Sequence, residues 1–390
     1  MESIIYVTSR RLLPLDSGDK ILTYNIIKRL SKIYDIYLFN YNKESKYTKE
    51  EILKINDIST KFKTVELINL SRMKYFLKIL KVILFNKRYA GNFDERYKQD
   101  LKKFLDSNLN AKYIVWDHER SSSFFSSNKF INVLIEHNNE ANTMEGRIKK
   151  FNNPLIKSLI RKQVQHNKRY IKSNHKRMDR IIYLNDNDFS DESQRQPNKY
   201  VLMDKLLIDF EHSSYNLTKN SKKIKLLFVG SLDWYPNIDA IEWFLDKIFP
   251  ILKNKDLYHF DVVGRNPSKK LMQKINTLSN VTLYSNVPSI EEYYLNTDIV
   301  VIPIRSGSGI NIKVLEALSY GIPIVMTTFA MRGYDGLNFI QGADTPELFS
   351  DNINKLMDIN NRKNLFEKEL LYYDTYQENS SETLKSIFDI

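Results

Sequence analysis

The sequence predicts an α/β protein of two domains, each built around a parallel sheet. The chain has 390 residues, which at about 150 residues per domain corresponds to two or three domains. Hydrophobic residues make up 42% and aromatic residues 12% of the chain, enough to bury a core in each domain and to exclude a disordered protein. Short apolar runs alternate with segments of helical periodicity from end to end, as in parallel sheets joined by helices.

The first strand and helix series fills the N-terminal half. Residues 3–7 form an apolar run, a loop containing Asp16, Ser17 and Gly18 follows, and apolar residues at helical spacing predict a helix over residues 23–32. Further strands are predicted at residues 35–39, 64–68, 113–116, 132–136 and 180–184. We therefore assign residues 1–212 to an N-terminal domain.

A second series begins after the polar stretch 213–223, which we interpret as a linker. Strands are predicted at residues 225–230, 259–263, 281–283, 298–304 and 323–326, and helices at residues 239–252 and 314–320. Residues 365–390 are predicted to be helical in two pieces. The C-terminal domain is assigned to residues 224–370.

Charge and cysteine content restrict the function. The chain has no cysteine and six histidines, which excludes a disulfide scaffold and a catalytic thiol and argues against a zinc enzyme. The net charge of +12 is uneven: residues 1–220 contain 41 Lys and Arg against 26 Asp and Glu, a net +15, and the remainder has 18 against 21, a net −3. An anionic partner is therefore expected for the N-terminal half.

Two basic segments indicate a membrane surface as that partner. Residues 72–88 place lysines at helical spacing in an apolar run, as in an amphipathic helix on an anionic bilayer, and residues 146–178 contain eleven Lys and Arg with no acidic residue. Surface helices packed on a core are the alternative. Nucleic acid is not expected, because aromatic residues do not interleave with the cations. Without a signal sequence or an apolar run of about 18 residues, we expect a cytoplasmic protein on the inner face of the membrane.

The most informative stretch runs from residue 302 to residue 325. A buried strand leads into a glycine-rich turn with Gly307, Ser308 and Gly309 at the start of a helix, where free amides can bind phosphate. Lys313 is placed to reach that phosphate, and Glu316, about one turn further on, to accept hydrogen bonds from a ribose. The alternative is an ordinary strand-to-helix turn with an exposed Lys–Glu pair.

Residues 308–317 and the Gly-Ile-Pro-Ile-Val segment 321–325 resemble the donor-binding signature of family 4 glycosyltransferases of GT-B fold, of the kind involved in bacterial surface polysaccharide synthesis. The resemblance extends to residues 228–239, 263–265 and 287–298 and, in the N-terminal half, to residues 10–23 and 136–140. It implies two Rossmann-like domains facing each other across a cleft. It also implies that the last helix, residues 371–390, crosses back to the N-terminal domain.

The resemblance also implies roles for individual residues. Glu316 would bind the ribose, the amides of residues 307–309 would face the sugar diphosphate, and the catalytic residue His137 would lie near the transferred sugar. The remaining candidates are Asp16, Ser17 and Gly18 on the N-terminal side of the cleft, and Arg265 and Val287 near the base. Ser308 replaces the usual first acidic residue, and the usual basic pair after the first C-terminal strand is missing, so Lys313, Arg305 and Arg265 are assigned to the diphosphate charge. A structural histidine is the alternative for His137.

The resemblance implies a retaining glycosyltransferase that moves a sugar from a nucleotide diphosphate donor to a glycan acceptor. We expect the acceptor to be lipid-linked, and we expect no metal or other cofactor. Two alternatives remain open from the sequence. One is a nucleotide-sugar epimerase of the same architecture, and the other is a catalytically inactive, membrane-associated protein of this fold.

Overall fold

The computed structural model describes residues 1–42, 46–66, 95–122, 128–137, 153–184, 189, 196, 199–203, 208–210, 223–307 and 309–388. The chain divides into two compact units. Unit 1 comprises Met1–Ile208 and Glu382–Ile390, and unit 2 comprises Asp209–Ser381. The predicted amphipathic segment 72–88, almost all of the predicted linker and Ser308 lie outside the described residues.

Unit 1 contains a seven-stranded sheet in the order β3-β2-β1-β4-β5-β6-β7, in which every pair of neighbours is parallel. Its strands are β1 Ser3–Thr8, β2 Asp35–Asn42, β3 Lys61–Glu66, β4 Tyr113–Asp117, β5 Ile131–Glu136, β6 Arg180–Tyr183 and β7 Tyr200–Leu202. Its helices are α1 Gly18–Leu30, α2 Lys49–Asn56, α3 Glu95–Asp106, α4 Glu119–Ser122 and α5 Pro154–His175. The central strands β1 and β4 are buried along their whole length, which explains their nearly continuous apolar sequences.

Unit 2 contains a five-stranded parallel sheet in the order β10-β9-β8-β11-β12. Its strands are β8 Ile224–Val229, β9 Tyr258–Gly264, β10 Val281–Ser285, β11 Ile299–Ile302 and β12 Ile324–Met326. Its helices are α6 Tyr235–Trp243, α7 Lys269–Asn276, α8 Glu291–Leu295, α9 Ile312–Tyr320, α10 Pro346–Lys355 and α11 Ile359–Phe388, and a short 3₁₀ turn covers Lys255–Leu257.

Three predicted helices differ from the structure. The helix predicted over residues 23–32 is α1, which begins five residues earlier, at Gly18, and ends at Leu30. The helix predicted over residues 239–252 begins earlier, at Tyr235, and its second half is a π-helical turn, Phe244–Ile248, followed by a 3₁₀ turn, Phe249–Ile251. Pro250, which lacks an amide hydrogen, accounts for the loss of regular helix there. The two helical pieces predicted over residues 365–390 are one helix, α11, which begins at Ile359. No glycine or proline interrupts it.

Each sheet reverses its strand order at one point. In unit 1 the chain builds outward from β1 through β2 to β3 and then returns to place β4 on the other side of β1. In unit 2 the same reversal separates β8 from β11. The loops that leave the two central strands diverge at such a point and leave a crevice at the carboxyl edge of the sheet, which is where open α/β sheets bind ligands. None of the described helices is long and apolar enough to cross a bilayer.

We predict that Gly264→Ala destabilises unit 2 by about 3 kcal/mol, because a methyl group there would overlap the carbonyl oxygen of Gly230 at the end of the neighbouring strand β8. Gly336→Ala is the matched control. Gly336 has a φ of +87°, and a methyl group there would meet its nearest neighbour, the ring of Tyr372, at an ordinary contact distance of 3.5 Å. Only backbone strain of about 1 kcal/mol is therefore expected for the control. Chemical denaturation measures both, and equal costs for the two variants would contradict the packing described for Gly264.

Candidate functional site

The crevice of unit 2 lies between the loops that leave β8 and β11. The β11 loop contains Gly307 and Gly309, whose φ angles of +131° and +78° favour glycine, and it leads into α9. The residue before α9, Asn311, does not cap the helix with its side chain, which instead donates a hydrogen bond to the Ala330 carbonyl oxygen at 3.3 Å. Asn311 thus gives α9 no side-chain cap, while the Val314 amide donates to the Asn311 carbonyl oxygen at 2.9 Å. The positive end of the helix dipole favours an anion here.

Lys313, in the first turn of α9, extends toward the β8 loop. Its Nζ donates a hydrogen bond to Asn237 Oδ1 at 2.8 Å and lies 4.3 Å from the centroid of the Phe228 ring. A Cβ at Gly230 would lie 3.0 Å from the same Nζ. Glycine at position 230 therefore lets the ammonium group approach the backbone where β8 ends.

Glu316 lies one turn further along α9. Tyr294 donates a hydrogen bond from its hydroxyl to Glu316 Oε2 at 2.9 Å, and its ring stacks on Tyr320 with centroids 4.9 Å apart. Both Glu316 and Lys313 are half-buried. The carboxylate is therefore fixed in direction by an aromatic pair while it keeps contact with solvent.

Burial shifts the pKa values of Glu316 and Lys313 toward 7, because it disfavours the charged form of each side chain. It raises the pKa of Glu316 to about 7, against the hydrogen bond from Tyr294 and the charge of Lys313, which lower it. Burial also lowers the pKa of Lys313 to about 7, against the charge of Glu316. The site thus contains an acid and a base that both change charge near neutral pH, a property typical of functional sites.

The other predicted donor-binding residues follow strands β9, β10 and β11, and their contacts differ. Arg305 is already ion-paired, with its Nη2 3.0 Å from Asp239 Oδ2 and its guanidinium 4.6 Å from the Trp243 ring centroid. Arg265 follows β9 and donates a hydrogen bond from Nε to Ser231 Oγ at 3.1 Å, which joins it to the β8 loop. Val287 lies past the end of β10, at the outer strand of the sheet, and Ser308 is outside the described residues.

His137 lies at the carboxyl end of β5 in unit 1 and is 4% exposed. Its Nε2 is 2.7 Å from Asp117 Oδ1, and its ring stacks on His118 with centroids 3.9 Å apart. Asp117 also accepts hydrogen bonds from Tyr6 at 3.2 Å and Thr23 at 2.9 Å. This network joins β1, α1, β4 and β5 at the strand reversal of unit 1.

Asp117 is the charged centre of that network. Its burial alone would raise its pKa, but the charges of His137 and His118 and the hydrogen bonds from His137 and Thr23 outweigh burial and lower the pKa to about 2. Asp117 is therefore ionised at neutral pH. Sequence reasoning missed this residue, although the end of a predicted strand directly before His118 is a position that can be recognised.

The predicted loop with Asp16, Ser17 and Gly18 lies beside this network. Gly18 is the first residue of α1, Ser17 precedes it, and Asp16 forms an ion pair with the buried Lys20 at 3.1 Å. Arg10, which follows β1, pairs with Asp19 in the first turn of α1. The loop is thus held by local ion pairs at the carboxyl edge of β1.

Among the described residues of unit 1, two groups of buried side chains have ligand atoms close enough together to hold a cation: Asp117, His118 and His137, and Glu119, Glu136 and His175. In the first, both Asp117 oxygens already accept hydrogen bonds. In the second, His175 Nε2 is 3.3 Å from Glu136 and 3.6 Å from Glu119. The carboxylates raise the pKa of His175 to about 9 against the effect of burial, so this group is a buried ion cluster of one histidine and two carboxylates.

Sequence reasoning also missed two residues that organise the unit 2 crevice. Tyr294 precedes β11 and orients Glu316, while Asn237 in α6 holds Lys313. Both lie far from α9 in the chain, so no local spacing links them to it. The strand reversal is the property that brings them together.

Comparison with known proteins identifies a family match in unit 2. Residues 223–358 match the family model for glycosyl transferases group 1. This match covers most of unit 2 and includes both loops of the crevice. Unit 2 therefore carries a glycosyltransferase domain, which confirms the predicted enzyme class for that domain. No curated protein sequence matches the chain.

Solved structures confirm the GT-B fold. WaaG, a glycosyltransferase involved in lipopolysaccharide biosynthesis, has a TM-score of 0.64 at 14% identity, with 99% of this chain and 100% of WaaG covered. TarM of S. aureus, solved with UDP and α-GlcNAc-glycerol, gives 0.62 at 11% identity, with 100% of both chains covered. HepE of Anabaena, solved with UDP and glucose, gives 0.54 at 10% identity, with 99% and 100% covered.

We predict that Glu316→Gln stabilises the ligand-free protein at pH 8. Because the pKa of Glu316 is raised from its ordinary value of 4.5 to about 7, the wild type loses stability as pH rises through this interval, whereas Gln keeps the bond from Tyr294 without that loss. The side chain keeps solvent contact, so the expected gain is about 1–2 kcal/mol at pH 8 and none near pH 4.5.

Denaturant unfolding at the two pH values measures this difference. Glu367→Gln, an exposed position on α11, is the control and should change stability little at either pH. A Glu316→Gln variant that is no more stable than wild type at pH 8 would contradict the raised pKa.

Proposed function

We propose that this protein is a retaining glycosyltransferase that moves a sugar from a nucleoside diphosphate donor to a lipid-linked glycan in cell-surface polysaccharide synthesis, at the cytoplasmic face of the membrane. The observation that carries the proposal is the crevice between β8 and β11. There, a glycine-rich turn, an uncapped helix start, Lys313 and Glu316 converge within the domain that matches glycosyl transferases group 1. WaaG supports the cell-surface role by its part in lipopolysaccharide biosynthesis.

Donor binding is assigned to unit 2. The amides at Gly307–Gly309 and at the start of α9 donate hydrogen bonds to the diphosphate, and Lys313 supplies a positive charge. Glu316, held by Tyr294, accepts hydrogen bonds from the ribose hydroxyls. Arg265 and the backbone near Val287 border the base, and Arg305 contributes less to the diphosphate because Asp239 already neutralises it.

Catalysis then depends on positioning and on charge stabilisation. Negative charge develops on the diphosphate as the bond to the sugar breaks, and the helix start and Lys313 are arranged to stabilise it. His137 is assigned to the reacting sugar in unit 1, with Asp117 fixing its ring. We assign no metal to the reaction, because the chain's own amides and lysine supply the positive field at the leaving group.

The acceptor is assigned to unit 1 and to the membrane. On α5, which contains no acidic residue, five exposed cations lie three, four or seven residues apart and so share one face: Arg161, Lys162, Lys168, Arg169 and Lys172. Such a face attracts anionic headgroups, with about 1 kcal/mol for each cation near the surface. This concentrates the enzyme where a lipid-linked acceptor resides.

We predict that nucleotide affinity depends on pH with a maximum near 7. Below this pH, Glu316 must release a proton to accept the ribose hydroxyls, and above it Lys313 must take up a proton to meet the phosphate, because both pKa values are about 7. Calorimetric titration of UDP and GDP across the pH range measures the profile. Lys313→Met should abolish the fall on the alkaline side and weaken binding at pH 7 by about tenfold or more.

The matched variant Glu316→Gln should abolish the fall on the acidic side only. Lys269→Met, at the exposed start of α7, should follow the wild-type profile. Wild-type nucleotide affinity with no pH dependence, or unchanged affinity in Lys313→Met, would overturn the assignment of the donor site.

We predict salt-sensitive binding to vesicles that contain anionic phosphatidylglycerol. Replacing Lys162, Lys168 and Lys172 by Gln should lower the partition coefficient by about tenfold or more, because three surface charges are lost. The control replaces three exposed lysines of unit 2, Lys253, Lys255 and Lys269, by Gln. Sedimentation with vesicles at low and high salt measures both, and equal effects of the two triple variants would argue against α5 as the membrane contact.

A further inference from the structure

Two large aromatic side chains lie exposed where the loop after β8 leads into α6. Trp234 is 39% exposed and Tyr235 is 41% exposed. The other two tryptophans, Trp116 and Trp243, are 0% and 8% exposed and belong to the cores of the units. Two adjacent, partly exposed aromatic rings present apolar area to water, which is a property of ligand and partner sites.

The loop that carries these rings lies against the glycine-rich turn. Pro236, the next residue, is 3.4 Å from the position of a Cβ at Gly307, and Asn237 holds Lys313. The aromatic pair is thus joined by two successive residues to the two parts of the crevice assigned to the diphosphate. In the proposed complex, the donor sugar on the terminal phosphate, or an acceptor that approaches this phosphate, would lie beside the aromatic pair.

Charged groups border the aromatic pair. Burial and the nearby charge of Asp239 raise the pKa of the Tyr235 hydroxyl, and Asp239 Oδ2 is 3.0 Å from Nη2 of Arg305. Asp233, the residue before Trp234, accepts hydrogen bonds from Ser231 at 2.8 Å and from Asn266 at 3.2 Å. The aromatic pair is therefore flanked in the chain by two carboxylates, Asp233 and Asp239, and the second of these is paired with a guanidinium.

We propose that Trp234 and Tyr235 form a platform on which a sugar ring of the donor or the acceptor rests. A pyranose has C–H groups that pack on an aromatic face and hydroxyls around its edge that hydrogen-bond to charged groups, and this segment offers exposed rings and carboxylates together. A purely apolar partner would cover Asp233 and Asp239 without replacing their hydrogen bonds to water, which is unfavourable. This inference rests on the proposed function, since the diphosphate at the turn is what brings a sugar here.

The experiment compares Trp234→Ala/Tyr235→Ala with Trp234→Phe, which keeps a ring, and with Leu257→Ala. Leu257 is 43% exposed and directly precedes β9, so it lies at the amino ends of the strands, whereas the crevice lies at their carboxyl ends. Three quantities are measured for each protein. They are the affinity for UDP and GDP, the affinity for UDP-glucose, UDP-N-acetylglucosamine and GDP-mannose, and the KM for octyl glycosides of glucose, galactose and N-acetylglucosamine as acceptors.

The double alanine variant should bind UDP or GDP within about twofold of wild type, because the rings do not contact the nucleotide. If the ring is that of the donor, affinity for the nucleotide sugar should fall by about fivefold or more, and if it is that of the acceptor, the acceptor KM should rise by the same factor. Trp234→Phe should recover most of the loss, and Leu257→Ala should match wild type.

Unchanged nucleotide-sugar affinity and acceptor KM in the double variant would overturn the platform while leaving the donor site intact. An equal loss of affinity for the free nucleotide would also overturn it, because the rings would then support the nucleotide site rather than a sugar. Absence of any nucleotide binding by the wild type would instead refute the proposed function, and the platform with it.

Discussion

The reversal of strand order beside β1 and beside β8 is the constraint on which the rest of the structure depends. Parallel strands need crossover connections that pass over one face of the sheet, so a sheet that grows outward from a central strand in both directions leaves two diverging loops at that strand. In unit 2 these loops carry Gly230 and the two glycines Gly307 and Gly309, and Asn237 lies at the start of α6. In unit 1 the corresponding point holds Asp117 and the loop before α1.

At the unit 2 crevice, folding buries two ionisable side chains in surroundings that disfavour their charged forms. Lys313 and Glu316 lie among Phe228, Tyr294 and Tyr320, where burial disfavours both charges. In the donor complex proposed above, an anion at the helix start and hydroxyl donors at the carboxylate would favour the charged forms and so offset the cost of burying them. Unit 1 shows the opposite arrangement, because Asp117 is fully satisfied within the protein.

Most of the fold was predictable because the central strands are buried on both faces and read as apolar runs bounded by turns. The edge strand β3 was displaced in the prediction, since Lys61 and Lys63 face solvent and weaken its apolar pattern. Helices α2, α3 and α7 were not predicted, because they are short or strongly polar. The end of β9 depends on contact with Gly230, which no local pattern contains.

The turn, Lys313 and Glu316 were identified from one contiguous segment, where helical spacing relates their positions. Their partners were not, because Tyr294 and Asn237 come from other elements and meet α9 only in the folded sheet. Likewise, the single residue His137 stood out in the sequence, but the acid that holds it belongs to the neighbouring strand β4. Sequence spacing thus identifies functional side chains that share one helix or loop, but their partners from other strands and helices are known only from the folded structure.

The most direct test of the central claim is a crystal structure of the protein with UDP or GDP, whichever binds. We expect the diphosphate against the amides of Gly307–Gly309 and within hydrogen-bond distance of Lys313 Nζ, with the ribose hydroxyls on Glu316. A nucleotide bound with its phosphates away from this turn, or at the carboxyl edge of the unit 1 sheet, would contradict the account.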